Sequence, residues 1–189
     1  ERGGRLLIVQ GEASIKRIAD RGKLELVAPP LRTPENSQQA GVFTHAAIPQ
    51  PKLKYDLWSG QSQSVIATDR PTLLVLWASW CAPCVKELEE IPARRRKLSA
   101  AGVDVVAVCV DELLDDQPPG AADNAQAMLR NIRFPFRHGK ANARLVDLLQ
   151  VSHDFVFDLH QPLPIPSSVF LDQRGSLQGV FKGPLNVEA

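Results

Sequence analysis

Cysteine is scarce in this sequence, with 3 residues in 189. That is too few for a small domain held together by disulfides. It leaves one CxxC, Cys81 and Cys84, and a solitary Cys109. Long apolar runs are also missing. The longest, around Leu73–Trp77 and Val103–Val110, are strand-sized, far short of the ~20 apolar residues of a spanning helix. Charge of one sign is not in excess: 22 Lys and Arg against 21 Asp and Glu give a net charge of +1. Composition therefore makes no electrostatic case for nucleic acid or an anionic membrane as partner. The opening Glu1-Arg2-Gly3-Gly4 lacks the basic-then-apolar pattern of a secretory signal, and the chain does not begin with Met. The expectation is an excised or processed piece that has lost its targeting information. What the chain does have is 44% hydrophobic residues, enough for a packed core, in a length that suits one domain plus an extension.

Residues 1–50 read as an N-terminal extension and linker, the tail of a larger parent protein, and residues 51–189 as the folded domain. Within the extension, Arg5–Gln10 and Lys23–Ala28 read as strands, with room for a short helix in Gly11–Gly22. Pro29, Pro30, Pro34, Pro49 and Pro51 punctuate a polar stretch of linker character. No internal repeat is present.

From Lys52 the pattern is regular. Leu53–Leu57 and Ser64–Ala67 flank Ser59-Gly60 as a hairpin. Thr72–Trp77 is continuously apolar, as in a strand buried on both faces. A helix is expected from Cys81 or Ala82 to about Ala101, closed by Gly102, and Val103–Val110 is a second buried strand. Strand, helix and strand at this spacing make a βαβ unit with parallel strands. Beyond an acidic loop, Asp111–Gly120, the pattern predicts helices over Ala121–Asn131 and Asn142–Leu149. It predicts a short strand at Phe134–Arg137 and a closing hairpin of Ser168–Asp172 and Leu177–Phe181.

Trp80-Cys81-Ala82-Pro83-Cys84 follows the first buried strand and opens the helix. A helix N-terminus presents unpaired N–H groups and the positive end of the macrodipole, and both favour a thiolate. Cysteines in such positions titrate at roughly 3.5–7.5 rather than about 8.5. Pro83 falls in the first turn, where its missing N–H is not needed. Cys84 lies one turn along, within disulfide reach. The roles follow: Cys81 attacks, a mixed disulfide forms, and Cys84 resolves it. A zinc site needs two further ligands. Cys109 and the 4 His form no second close pair, so neither metal nor other cofactor is expected. A purely structural disulfide would have no need of a helix-capping position. Cys109 itself reads as a small buried hydrophobe, Arg94-Arg95-Arg96-Lys97 as solvated surface, Trp77 as core and Trp80 as contact surface beside the thiol.

The segment Leu76-Trp77-Ala78-Ser79-Trp80-Cys81-Ala82-Pro83-Cys84 resembles the active-site segment of the thioredoxin superfamily, in particular its TlpA/ResA-like branch of extracytoplasmic thiol–disulfide oxidoreductases. Pro166-Ser167-Ser168-Val169-Phe170-Leu171-Asp172 is similar to that branch's Pro-Thr-Thr-Phe-Leu-Ile-Asp segment. Gly175 matches the glycine of the following turn, and the likeness covers about residues 52–185. It implies an α/β thioredoxin-like fold, a central mixed β-sheet flanked by helices, here with an N-terminal extension. It further implies an active-site role for Glu87 and a cis peptide bond at Ile165–Pro166. That bond would lie beside the CxxC, where Trp80, Ile165 and Pro166 would bind an extended substrate. Protein disulfides or dithiols as substrates, an upstream redox donor, and an extracytoplasmic location follow from the same resemblance. So does work as a reductant, since Ala-Pro is close to thioredoxin's Gly-Pro.

Three departures stand out. Val75 occupies the place of thioredoxin's buried acid, which leaves Glu87 as the proton carrier. Glu89 stands where a helix-bending proline is usual, with Pro92 three residues later. Ser152–Pro164 intervenes before Pro166 as an insertion expected to shape the substrate groove, with Phe155–Leu159 as an added strand if it joins the sheet. Within it, His153 and His160 are expected at the surface. Two other functions compete: a thiol peroxidase of the peroxiredoxin type, against which the Pro71-to-Cys81 spacing speaks, and a redox-inactive docking module, against which the intact CxxC speaks.

Overall fold

The computed structural model describes residues 6–9, 40–113, 121–157 and 162–185. The strands readings at Lys23–Ala28 and the helix reading at Gly11–Gly22 lie outside these. Among the described residues nine strands form one mixed sheet: β1 (Leu6–Val9), β2 (Ala40–Ile48), β3 (Lys54–Asp56), β4 (Ser62–Ser64), β5 (Thr72–Trp77), β6 (Asp104–Cys109), β7 (Arg137–Lys140), β8 (Ser167–Leu171) and β9 (Leu177–Lys182). Their order across the sheet is β1-β2-β9-β8-β5-β6-β7-β3-β4.

β5 sits in the middle because it can. All six of its residues are buried, as a continuous apolar run requires when both faces are covered. It pairs in parallel with β6, Leu74 opposite Val106, and antiparallel with β8, Leu74 opposite Val169. The chain between β5 and β6 is helical but not one helix. α1 (Ala82–Glu90) passes into a 3₁₀ turn at Ile91–Arg94 and then into α2 (Arg95–Ala100). Pro92 lies in the first turn of that 3₁₀ segment, where the lack of an N–H is tolerated and continuation of α1 is not. Gly102 then turns the chain with φ +67°, a conformation that costs glycine nothing.

α3 (Ala121–Asn131) lies where the sequence places it and buries Ala125 and Leu129. α4 (Ala143–Phe157) is longer than expected. The added strand expected at Phe155–Leu159 is overturned through Phe157, because the first part of Ser152–Pro164 continues the helix. Leu145, Leu149, Ser152, His153 and Val156 are buried on one side of a continuous helix, and the Ser152 hydroxyl donates to the Leu148 carbonyl at 2.9 Å. His153 is not at the surface, being 2% exposed; His160 lies outside the described residues.

Two further expectations need correction. The linker reading of Pro29–Pro51 fails at β2, which pairs antiparallel with β9 and buries Val42 opposite Val180. The short strand expected at Phe134–Arg137 starts later, as β7 (Arg137–Lys140), while Phe134 and Phe136 pack edge to face ahead of it. Within β7, Gly139 lets the backbone approach β3: a Cβ there would run into the Asp56 carbonyl and the Tyr55 ring.

Candidate redox site

β5 ends at Trp77, and Ala78-Ser79-Trp80 turns the chain into α1. The turn is fastened to the end of β6. The Val110 N–H donates to the Trp77 carbonyl at 3.0 Å, and the Ser79 N–H donates to Asp111 Oδ1 at 2.9 Å. Asp111 is completely buried, so this bond is made out of reach of water. Sequence reasoning missed Asp111 and read it as the first residue of an acidic loop. The available signal was its position directly after a buried strand, where a solvated acid has no reason to be.

Cys81 is the N-cap residue of α1, with extended backbone (φ −87°, ψ 95°) and its sulfur accepting the Cys84 N–H at 3.3 Å. Pro83 occupies the first turn, which carries no acidic side chain to oppose a negative sulfur. Cys81 and Cys84 are joined as a disulfide, with Cα atoms 5.2 Å apart. Cys81 is 5% exposed and Cys84 is fully buried, so an incoming sulfur reaches Cys81 first.

The Ile165–Pro166 peptide bond is cis, and Cys81 Sγ lies 3.8 Å from the Ile165 carbonyl oxygen. The Pro166 carbonyl accepts the Gly183 N–H at 2.9 Å, fixing this corner to the end of β9. Trp80, directly before Cys81 in the chain, is 53% exposed. Three sequence-separated pieces, Trp80–Cys84, Ile165–Pro166 and the chain after β9, therefore belong to one site.

Glu87 lies one turn along α1 from Cys84 and is 3% exposed. Its Oε1 accepts the Leu185 N–H at 3.1 Å, while Oε2 is buried with no partner among the described residues. Burial pushes its carboxyl up to about 7; the Leu185 amide works against that and Glu90 adds to it. Such a group can hold or release a proton near neutral pH. Cys109 is not brought into the pair. It is buried opposite Trp77 in the β5–β6 register, and burial foremost raises its thiol to about 12, which leaves it without nucleophilic character. Val75 is buried in β5, so the central strand supplies no acid there.

The family model described as Redoxin matches residues 47–188. The thiol–disulfide oxidoreductase ResA of Oceanobacillus iheyensis is 27% identical over 118 residues, 61% of this chain and 51% of that protein. The chain thus spans about half the length of the curated relative it matches. Among solved structures, a thioredoxin-family thiol:disulfide interchange protein from Chlorobium tepidum TLS superposes with a TM-score of 0.57 at 19% identity, covering 74% of this chain and 88% of the other. A secreted thiol-disulfide isomerase from Corynebacterium glutamicum does so with a TM-score of 0.54 at 17% identity, over 97% and 91%. The fold is thioredoxin-like.

Proposed function

The chain belongs to the Redoxin family, and from that premise we propose that it is a thiol–disulfide oxidoreductase that exchanges a dithiol for a disulfide on protein substrates through Cys81-Ala82-Pro83-Cys84. The observation that carries the reading is the placement of the pair: a disulfide at the N-terminus of α1, with Cys81 Sγ 3.8 Å from the carbonyl that precedes Pro166 and a buried carboxyl one turn further along the helix. The cis corner supports substrate binding by Trp80, Ile165 and Pro166. The Ile165 backbone, whose carbonyl oxygen lies 3.8 Å from Cys81 Sγ, is placed to align an extended segment against that sulfur, and Trp80 supplies exposed aromatic surface next to Cys81 in the chain.

The reaction proceeds in two exchanges. With the pair reduced, the Cys81 thiolate, favoured by the helix N-terminus, attacks one sulfur of a substrate disulfide. That S–S bond breaks, a mixed disulfide forms, and the leaving sulfur departs as a thiolate that takes up a proton. The Cys84 thiol then passes its proton to Glu87 and attacks Cys81 Sγ. The second substrate thiol is released and the Cys81–Cys84 disulfide closes. Two electrons have passed to the substrate, and an upstream dithiol donor restores the pair. The reductant direction rests on the resemblance to the ResA-like branch drawn from the sequence and on the likeness of Ala82-Pro83 to thioredoxin's Gly-Pro. An extracytoplasmic setting rests on the family resemblance drawn from the sequence and on the likeness to the secreted Corynebacterium protein.

Cys84→Ser leaves Cys81 able to attack but unable to be released. The variant accumulates mixed disulfides that a reductant dissolves, seen as covalent adducts by mass spectrometry. Adducts that form instead on Cys81→Ser and not on Cys84→Ser would reverse the two roles.

A further inference from the structure

The chain after β9 has no assigned part in the chemistry, yet it meets Glu87, a buried carboxyl one helical turn along α1 from Cys84. Gly183 is bonded to the Pro166 carbonyl, and two residues later Leu185 gives its N–H to Glu87 Oε1 at 3.1 Å. The Leu185–Glu87 contact joins residues 98 positions apart in sequence. The Leu185 side chain packs against the core, so the amide is held rather than free to turn away. The carboxyl it meets has little else. Oε2 is buried without a partner among the described residues. The charged group acting on Glu87 is Glu90, on its own helix, and it repels. From the other side the segment Gly183-Pro184-Leu185 offers no charge, only this one N–H.

We propose that the segment following β9 is a positioning element of the redox site, in which the Leu185 backbone amide orients the Glu87 carboxyl and sets how readily it gives up its proton. The inference rests on the reading of Glu87 as the proton carrier. A donor to one oxygen favours the ionised carboxylate. It also fixes the plane of the group, so that Oε2 is the oxygen left to exchange a proton with the thiols. The same segment anchors the cis-proline corner through Gly183, so substrate engagement at Ile165–Pro166 and the proton affinity of Glu87 share one short stretch of chain.

The test is the pH profile of Cys81 alkylation in the reduced protein. The parent is expected to show an inflection near 7 from Glu87, whose burial raises its carboxyl to about 7. Leu185→Pro removes the N–H and moves that inflection upward by about one pH unit, the scale of a lost hydrogen bond to a charged group. Leu185→Ala keeps the N–H and keeps the inflection in place. A chain ending at Gly183 removes the amide without adding a ring and shifts the inflection as Leu185→Pro does. Glu87→Gln separates the two levels. If it leaves the parent profile unchanged, Glu87 is not the proton carrier and the underlying reading falls. If it abolishes the inflection while Leu185→Pro and the shortened chain leave it where it was, only the role of the segment falls. Loss of folding in both of those variants would also overturn the proposal, since the segment would then be part of the core.

Discussion

Glu87 carries the clearest physical signature of any single residue in the molecule. A carboxyl whose proton affinity is raised in the folded state, from 4.5 to about 7, ties stability to pH with a definite sign. Between those values the folded chain holds a proton that the unfolded chain has released, so stability falls as pH rises. The contribution is fully present below about 4.5 and lost by about 7. Its size is about 3 kcal/mol at full shift. Glu87→Gln keeps an oxygen for the Leu185 N–H and removes the titration. Denaturant unfolding at pH 5 and pH 8 should therefore show the parent losing stability across this interval while the variant holds it. Equal slopes in both would mean that the carboxyl is not buried as described. His153 acts in the opposite sense. Its ring is driven toward the neutral form by burial, with Asp154 partly offsetting this, so its share of stability is lost as pH falls below the ordinary histidine range. The comparison of Glu87→Gln with the parent cancels that term.

At the scale of elements, the helical crossover between β5 and β6 shows which parts of the structure the sequence announces. Gly102 was legible because a glycine just after a helical run has one common use. Its φ of +67° bears this out, and no atom lies within 4 Å of where a Cβ would stand. Gly102→Ala therefore costs about 1 kcal/mol from backbone strain alone. Thermal unfolding would register this as a lower midpoint with no change in thiol reactivity; an unchanged midpoint would mean that the turn relaxes freely. The central strands and the closing hairpin were legible for the same kind of reason, continuous apolar runs and a Gln-Arg-Gly-Ser turn. The end of α4 was not. Ser152, His153 and Asp154 interrupt its apolar pattern, and Phe155-Val156-Phe157 mimics a strand. Yet Leu145, Leu149, Ser152, His153 and Val156 keep helical spacing, with the polar Ser152 and His153 serving as core. The Ser152 hydroxyl does so by bonding Leu148 and Gln50. Asp111 was hidden likewise, since its partner is a backbone amide 32 residues away and no side-chain pattern points to that. At the site, the cysteines and Pro166 were visible as motifs; Leu185 acts through its N–H, which any residue but proline would supply.

The whole molecule places the redox pair at the centre of a wide sheet, and the flank beyond β8 bears on it. β9 lies between β8, which opens at the cis-proline corner, and β2, contributed from before residue 50. β2 covers what would otherwise be an open edge. Val42 is fully buried opposite Val180, Phe43 packs edge to face on Phe181 with centroids 5.1 Å apart, and the Thr44 hydroxyl donates to the Leu177 carbonyl at 3.2 Å. A linker would make none of these contacts. A chain beginning at Pro49 retains every residue of the redox site but leaves β9 with unpaired N–H and C=O groups and an uncovered apolar face, the usual template for intermolecular strand pairing. Burial of one valine and one cross-strand aromatic pair together amount to about 2–3 kcal/mol, so denaturant unfolding of the shortened chain should come at distinctly lower concentration. Because β9 leads directly into Gly183 and Leu185, the loosened edge should also weaken the hold on Glu87, and the inflection in Cys81 reactivity should broaden or rise. Val42→Ala reproduces part of the stability loss without opening the edge, so concentration-dependent association in the shortened chain but not in Val42→Ala would assign association to the exposed strand. If the shortened chain stays monomeric and unfolds at the same denaturant concentration as the parent, β2 is an ornament on the domain and the division at residue 50 is the better one.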